Sequence, residues 1–257
     1  MQHRCRAILS LVPFLLMSTL SAADNRDRFE ARTFTSGEFK LPYRLLKPKG
    51  YDSHKKYPLV IFLHGAGERG DDNVKQLVHG MNDFASDEIM AKYPAFVFAP
   101  QCPAEQKWAD VDWSAKSNTL PEKPSPSLAA TLQAVEALRK EFSIDEKRIY
   151  ITGLSMGGYG TWDAISRRPE LFAAAVPICG GGDPELAKQM QVVAIWAFHG
   201  TDDTAVPVER SRQMIDALKA VGAHPKYTEY PGVGHDSWTQ TYRDPALYAW
   251  LFAQKKP

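Results

Sequence analysis

One serine in this chain sits where a hydroxyl can be made reactive. Ser155 lies in Ile149-Tyr-Ile-Thr-Gly-Leu-Ser-Met-Gly-Gly-Tyr-Gly160, flanked two positions either way by Gly153 and Gly157. A serine hydroxyl becomes a nucleophile only when a base takes its proton, and the base works best when a carboxylate fixes its tautomer. The same letters also suit a glycine-rich helix start that cradles phosphate, or a turn that only packs closely. The partners decide between these readings. Of the seven histidines, His3 falls in the apolar leader, His54 in a polar loop, His79 in a short helix, and His224 before a strand. His64 and His199 end strands, but each is followed by a turn glycine, the setting of a packed imidazole. His235, in Pro231-Gly-Val-Gly-His-Asp-Ser-Trp238, follows the last strand between flexible residues and is the candidate base. For the acid, Asp202 and Asp203 both follow an earlier strand, and adjacent residues cannot both aim at one ring. Either could instead serve a turn or cap a helix, and Asp183 is a third candidate.

These residues need a scaffold that gathers them. Tyr57 to Leu63 and Ala95 to Ala99 are almost wholly apolar, as strands covered on both faces are. Further strands are expected at Ala173 to Ile178, Val192 to Phe198 and Lys226 to Tyr230. Ala31 to Phe34 and Phe39 to Leu45 read as a hairpin, with Pro42 arguing for a sheet edge. Between the strands, helices are expected within Asp71 to Met90, broken at Gly80, from Pro126 behind a Ser125 cap, at Tyr159 to Arg168, at Pro207 to Val221, and from Asp244 to about Gln254. The alternation predicts an α/β fold, a mostly parallel sheet with helices on both faces. In such sheets function gathers at the carboxyl ends of the strands. Only about a dozen residues separate Gly180 from the next strand, too few for a large cap domain.

Composition bounds the rest. A 257-residue chain with 44% hydrophobic and 24% charged residues suits one globular domain. Arg4 and Arg6, an apolar run from Ala7 to Leu20 and Ser21-Ala-Ala23 read as a signal peptide over residues 1–23, leaving residues 24–257 as the domain. Pro13 and the short apolar run argue against a membrane anchor. Removing Arg4 and Arg6 turns 31 basic and 30 acidic residues into 29 and 30, a balance that suggests neither nucleic acid nor an anionic membrane as partner. No His/Cys/Asp group has metal-ligand spacing along the sequence, and no cofactor is implied. Cys102 and Cys179, if they end strands with two others between them, stand about 14 Å apart and are expected to be free thiols.

Gly153-Leu-Ser-Met-Gly157, His64-Gly-Ala-Gly-Glu-Arg-Gly70, His199-Gly-Thr-Asp-Asp-Thr-Ala-Val-Pro207 and Gly234-His235 together resemble the α/β-hydrolase fold. More narrowly the chain is similar to exported esterases of the dienelactone hydrolase and polyhydroxybutyrate-depolymerase-like group, often described as peptidases of prolyl oligopeptidase type. The resemblance implies Ser155 as nucleophile, His235 as base and, from the fifth position of the His-Gly-x-x-Asp pattern, Asp203 as acid. Oxyanion donors are then expected at the backbone N–H of Met156 and of Ala66. Glu68 and Arg69 are expected to orient that loop through an internal ion pair. Trp108, Trp113 and Trp238 are candidate walls for an aryl or sugar ester. Ester hydrolysis through an acyl-enzyme is the expected activity, with a small-molecule or polymer-linked ester as substrate. Peptide hydrolysis with the same residues, and a non-catalytic binding protein that keeps the fold, are the alternatives.

Overall fold

The computed structural model describes residues 24–113 and 115–257; the expected signal peptide, residues 1–23, lies outside them. Eight strands form one sheet: β1 (Glu30–Ser36), β2 (Phe39–Leu46), β3 (Tyr57–Leu63), β4 (Phe96–Pro100), β5 (Ile144–Leu154), β6 (Ala174–Ile178), β7 (Ala194–Gly200) and β8 (Lys226–Tyr230). Their order is β1-β2-β4-β3-β5-β6-β7-β8. The β1–β2 and β2–β4 pairs are antiparallel and every other pair is parallel. This is the α/β-hydrolase architecture.

The continuous apolar runs of the central strands follow from burial on both sides. On one face Leu59, Ile61, Ile149, Ile151 and Ala197 pack with Leu128, Val135 and Leu138 of α3 (Pro126–Glu141), Ile165 of α4 (Met156–Arg167), and Met214 and Leu218 of α6 (Glu209–Ala220). On the other, Val60, Phe62, Val97, Tyr150 and Phe198 pack with α1 (Met81–Phe84), α7 (Trp238–Arg243) and α8 (Pro245–Ala253). Two short helices, α2 (Asp87–Lys92) and α5 (Ala187–Met190), complete the set. Side chains of alternate residues along each strand therefore serve opposite layers, the period of two that a pleated strand imposes.

Ser125 caps α3 as expected, its Oγ accepting from the Leu128 N–H at 3.1 Å. Gly80, at φ +71°, breaks the 71–90 segment, and a side chain there would run into the Tyr242 ring. Other expectations need correction. Pro42 lies in the second strand, not the edge strand; it faces Thr33 of β1 and falls just beyond Tyr43–Pro100, the last pair with β4, so its missing N–H leaves that ladder intact. The expected last helix is α8, and α7 precedes it, a short helix without strong periodicity. Helix α4 begins at Met156, three residues earlier than read from the sequence, because the glycines there start the helix instead of preceding it.

That early start is a steric matter. A Cβ on Gly157 would stand 1.9 Å from the Leu63 carbonyl oxygen, and one on Gly153 would stand 2.4 Å from the Gly157 oxygen. Helix α4 thus leaves β5 in backbone contact with the end of β3. Cys102 and Cys179 follow β4 and β6, with β3 and β5 between them, and both are buried free thiols. Gly157→Ala is expected to lose more than about 3 kcal/mol of stability. Gly67→Ala, which meets nothing within 4 Å, is expected to stay within about 1 kcal/mol. Urea unfolding followed by circular dichroism measures both.

Candidate active site

The turn between β5 and α4 holds Ser155 at φ +53°, a left-handed value that a serine adopts only when its surroundings enforce it. Its N–H donates to the Ile178 carbonyl at 3.0 Å and its carbonyl accepts from Tyr159 N–H at 3.1 Å. So fixed, Ser155 Oγ lies 2.9 Å from His235 Nε2, and His235 Nδ1 lies 2.7 Å from Asp203 Oδ2. Three side chains 80 residues apart or less in sequence order meet at the carboxyl edge of the sheet. Since a carboxylate only accepts, His235 Nδ1 carries the hydrogen and Nε2 faces the serine hydroxyl as an acceptor.

Asp203 is gripped from several sides. Its Oδ1 accepts from the N–H groups of Ala205 and Val206 at 2.9 and 2.8 Å. Burial pushes its carboxyl up, but hydrogen bonds from His199, His235 and Val206 N–H outweigh this and hold it well below the usual carboxylate range. Asp202 is exposed and accepts from the Thr201 hydroxyl at 2.8 Å. Asp183 accepts from Leu120 and Glu185 N–H, holding a loop and starting a turn of 3-10 helix.

The His235 loop is laid on the loop after β7. Asp202 N–H donates to the Val233 carbonyl at 2.9 Å and Thr201 N–H to the Tyr230 carbonyl at 3.1 Å. A Cβ on Gly200 would lie 2.2 Å from the Val233 oxygen. Gly200 therefore has a role that the sequence signalled only as a turn residue.

Met156 and Ala66 stand at the starts of α4 and of a 3-10 turn (Ala66–Glu68), where first-turn N–H groups have no partner within the helix. The loop bearing Ala66 is tied down differently from expectation. Among the described residues Glu68 makes no ion pair with Arg69; it pairs with His79 at 3.5 Å, while Arg69 donates to the Ala66 carbonyl at 3.0 Å. Fully buried Gln101, which sequence reading passed over, donates to the Glu68 carbonyl at 3.1 Å and accepts from Asn73 N–H at 2.6 Å.

The three tryptophans part company. Trp108 is fully buried and offers no face to a ligand; its ring packs edge-on to His64 and its Nε1–H donates to the His64 carbonyl at 3.0 Å. Trp113 is half-buried, with Lys107 Nζ 4.9 Å from its ring centroid. Trp238 is half-buried and meets the His235 ring edge-on and the His79 ring at a tilt, with centroids 5.2 and 5.3 Å apart. Only Trp238 touches the serine–histidine pair's immediate surroundings through a ring contact.

In space, though not in sequence, Cys179, Asp203 and His235 bring one ligand atom each within 4.8 Å of the others. The carboxylate and imidazole are hydrogen-bonded to one another, and burial keeps the Cys179 thiol protonated far above its ordinary range. A metal taking His235 Nδ1 there would have to break the His235–Asp203 bond. Cys102 is likewise pushed up, to about 11, by burial.

His64 is a packed strand-end imidazole. Its Nδ1–H donates to the Gly65 carbonyl at 2.6 Å and its Nε2 accepts from Cys102 N–H at 2.9 Å, so a second proton would displace a donor. Burial lowers its pKa from 6.5 to about 4. The unfolded chain therefore binds a proton first as pH falls, and stability is full above 6.5 and drains away down to about 4, by up to about 3 kcal/mol. Urea unfolding at pH 7 and pH 4.5 is expected to show a smaller loss in His64→Gln than in the natural protein.

Comparison with known proteins identifies the family. Residues 51–246 match the family model described as Phospholipase/Carboxylesterase. A solved structure, a thermostable esterase, superposes with a TM-score of 0.84 at 45% identity, covering 90% of this chain and 64% of that one. A bifunctional acetylxylan esterase/xylanase of Neocallimastix patriciarum is 38% identical over 147 residues, 57% of this chain and only 19% of its own length. A probable feruloyl esterase C of Aspergillus terreus is 24% identical over 210 residues, covering 80% of this chain and 72% of that protein. The chain belongs to the phospholipase/carboxylesterase family of α/β-hydrolases.

Proposed function

We propose that the protein is an exported serine esterase that hydrolyses carboxylic esters through an acyl-enzyme at Ser155. The hydrogen-bonded series Ser155–His235–Asp203 carries this reading. Ser155 Oγ attacks the ester carbonyl while His235 Nε2 takes its proton, and Asp203 stabilises the resulting imidazolium. The N–H groups of Met156 and Ala66 take the oxyanion, each worth about 10²- to 10³-fold in rate. Collapse breaks the C–O bond, the alcohol leaves with the proton from His235, and water repeats the sequence to free the acid and restore the serine.

Bulky aryl or sugar-linked esters are the proposed substrates. The segment between β6 and β7 holds only a 3-10 turn and the four-residue α5, which leaves the serine side unroofed from that direction. Trp238 offers an aromatic edge beside the base. Relatives named as acetylxylan and feruloyl esterases support that substrate class. Among the described residues no helix is long and apolar enough to cross a membrane. Export rests on the residue 1–23 signal and on a relative from Arthroderma benhamiae described as a secreted protein.

On p-nitrophenyl acetate, Asp203→Asn is expected to lose about 10⁴-fold in kcat, whereas Asp202→Asn stays within about threefold. Equal losses in the two variants contradict the assignment of the acid. On feruloyl and acetyl sugar esters, kcat/KM is expected to exceed that on dipeptide and aminoacyl amides; the reverse order makes the protein a peptidase.

A further inference from the structure

We infer that His199 is a positioning residue for the proposed hydrolysis, a second imidazole that locks the acid of the Ser155–His235–Asp203 series from behind. The inference rests on the reading of Asp203 as that acid.

His199 is the penultimate residue of β7 and is fully buried. Nothing in the mechanism above requires it, and a histidine with no exposed surface is costly unless both ring nitrogens are used. Both are. Nε2 lies 2.8 Å from the Val206 carbonyl oxygen and 3.3 Å from Asp203 Oδ2. Both neighbours only accept, so Nε2 carries a hydrogen. Nδ1 lies 2.7 Å from Ser211 Oγ, which is also 3.1 Å from the Gly180 carbonyl. With the ring hydrogen on Nε2, the Ser211 hydroxyl donates to Nδ1 and moors the ring to α6.

What it holds is the turn that grips the acid. Val206 is fastened at both ends, its N–H to Asp203 Oδ1 and its carbonyl to His199. Oδ1 is thus supplied by the turn's own amides. Oδ2 faces two imidazoles, His235 on the solvent side and His199 on the core side. With the carboxylate unable to rotate, Oδ2 stays aimed at His235 Nδ1. The positive edge of the His199 ring also draws charge from Oδ2 and moderates how strongly Asp203 favours the imidazolium of His235. The other ionisable groups around Asp203 and its two imidazoles are the Cys179 thiol, Tyr159 with Arg210 over its ring, Asp236, and Glu229, which stands opposite His199 on β8 and is paired with Arg212; every one of them is retained in substitutions at 199.

Two substitutions separate positioning from packing. His199→Gln places an amide N–H where Nε2–H was, whereas His199→Leu fills similar space without a donor. With p-nitrophenyl acetate, His199→Leu is expected to lose about 10- to 100-fold in kcat with little change in KM, and His199→Gln to recover most of it. The acid limb of the kcat/KM profile is expected to move up by about half to one pH unit in His199→Leu, because an unmoderated Asp203 holds His235 protonated to higher pH. The downfield proton resonance of His235 Nδ1–H, read without turnover, is expected to shift in His199→Leu and not in His199→Gln. A folded His199→Leu protein with natural kcat, acid limb and resonance overturns the inference, as does equal loss in both variants. If His199→Leu fails to fold, Ser211→Ala, which unmoors Nδ1, is expected to move limb and resonance in the same direction by less, and an unmoved profile overturns the inference there too. If the natural protein hydrolyses no ester while His199→Leu shows the resonance shift, the functional reading is refuted and the positioning role stands.

Discussion

The contact that the rest depends on is the backbone approach of α4 to the end of β3. Gly153 and Gly157 leave no room for even a methyl group between the helix start and the Leu63 carbonyl. Because the helix turns back so tightly, the residue at the corner is forced to a left-handed φ and its side chain projects beyond the sheet. The cost of that strained serine is borne by packing on both sides of the central strands, where the molecule is most fully buried. A looser turn would lower the cost and let the hydroxyl drift, and a drifting nucleophile forfeits the alignment on which reactivity depends.

The other two groups are placed by a different device. Asp203 and His235 sit on loops that follow β7 and β8, and neighbouring parallel strands bring those loops side by side. Hydrogen bonds from Thr201 and Asp202 to the following loop, and the absence of a side chain at Gly200, set the distance between them. Asp203 is then surrounded by donors enough to remain ionised despite its burial. Rigid strands give the coarse position and the loop-to-loop hydrogen bonds give the fine one. An account of this site that stopped at three side chains would miss the contacts by which Gly200, Gln101 and His199 hold the loops around them.

Much of this was legible in the sequence, and the reason is periodicity. Apolar runs of strand length separated by capped helices admit few folds, and motifs at strand ends then fall on one edge. Residue-level choices were harder. Asp202 and Asp203 share every local signal; only the resemblance to a family pattern, and then the turn amides of Ala205 and Val206, distinguish them. Trp108 sits in a stretch without regular periodicity, where a tryptophan looks available to a ligand, but the fold buries it with its indole bonded to the His64 carbonyl. Glu68 and Arg69 looked like partners because they are adjacent, but a 3-10 turn sends their side chains to different neighbours. The Cys179–Asp203–His235 proximity has no trace in linear spacing, since its members come from three separate strand ends.

The central claim is that Ser155 is acylated with His235 as its base. The most direct measurement is mass spectrometry of the protein quenched in acid during turnover of a p-nitrophenyl ester, with the adduct mapped to a peptide. An acyl group on the peptide carrying Ser155, present in the natural protein and absent in His235→Ala, is the expected result. Turnover with no adduct on that peptide, or an adduct on another residue, contradicts it.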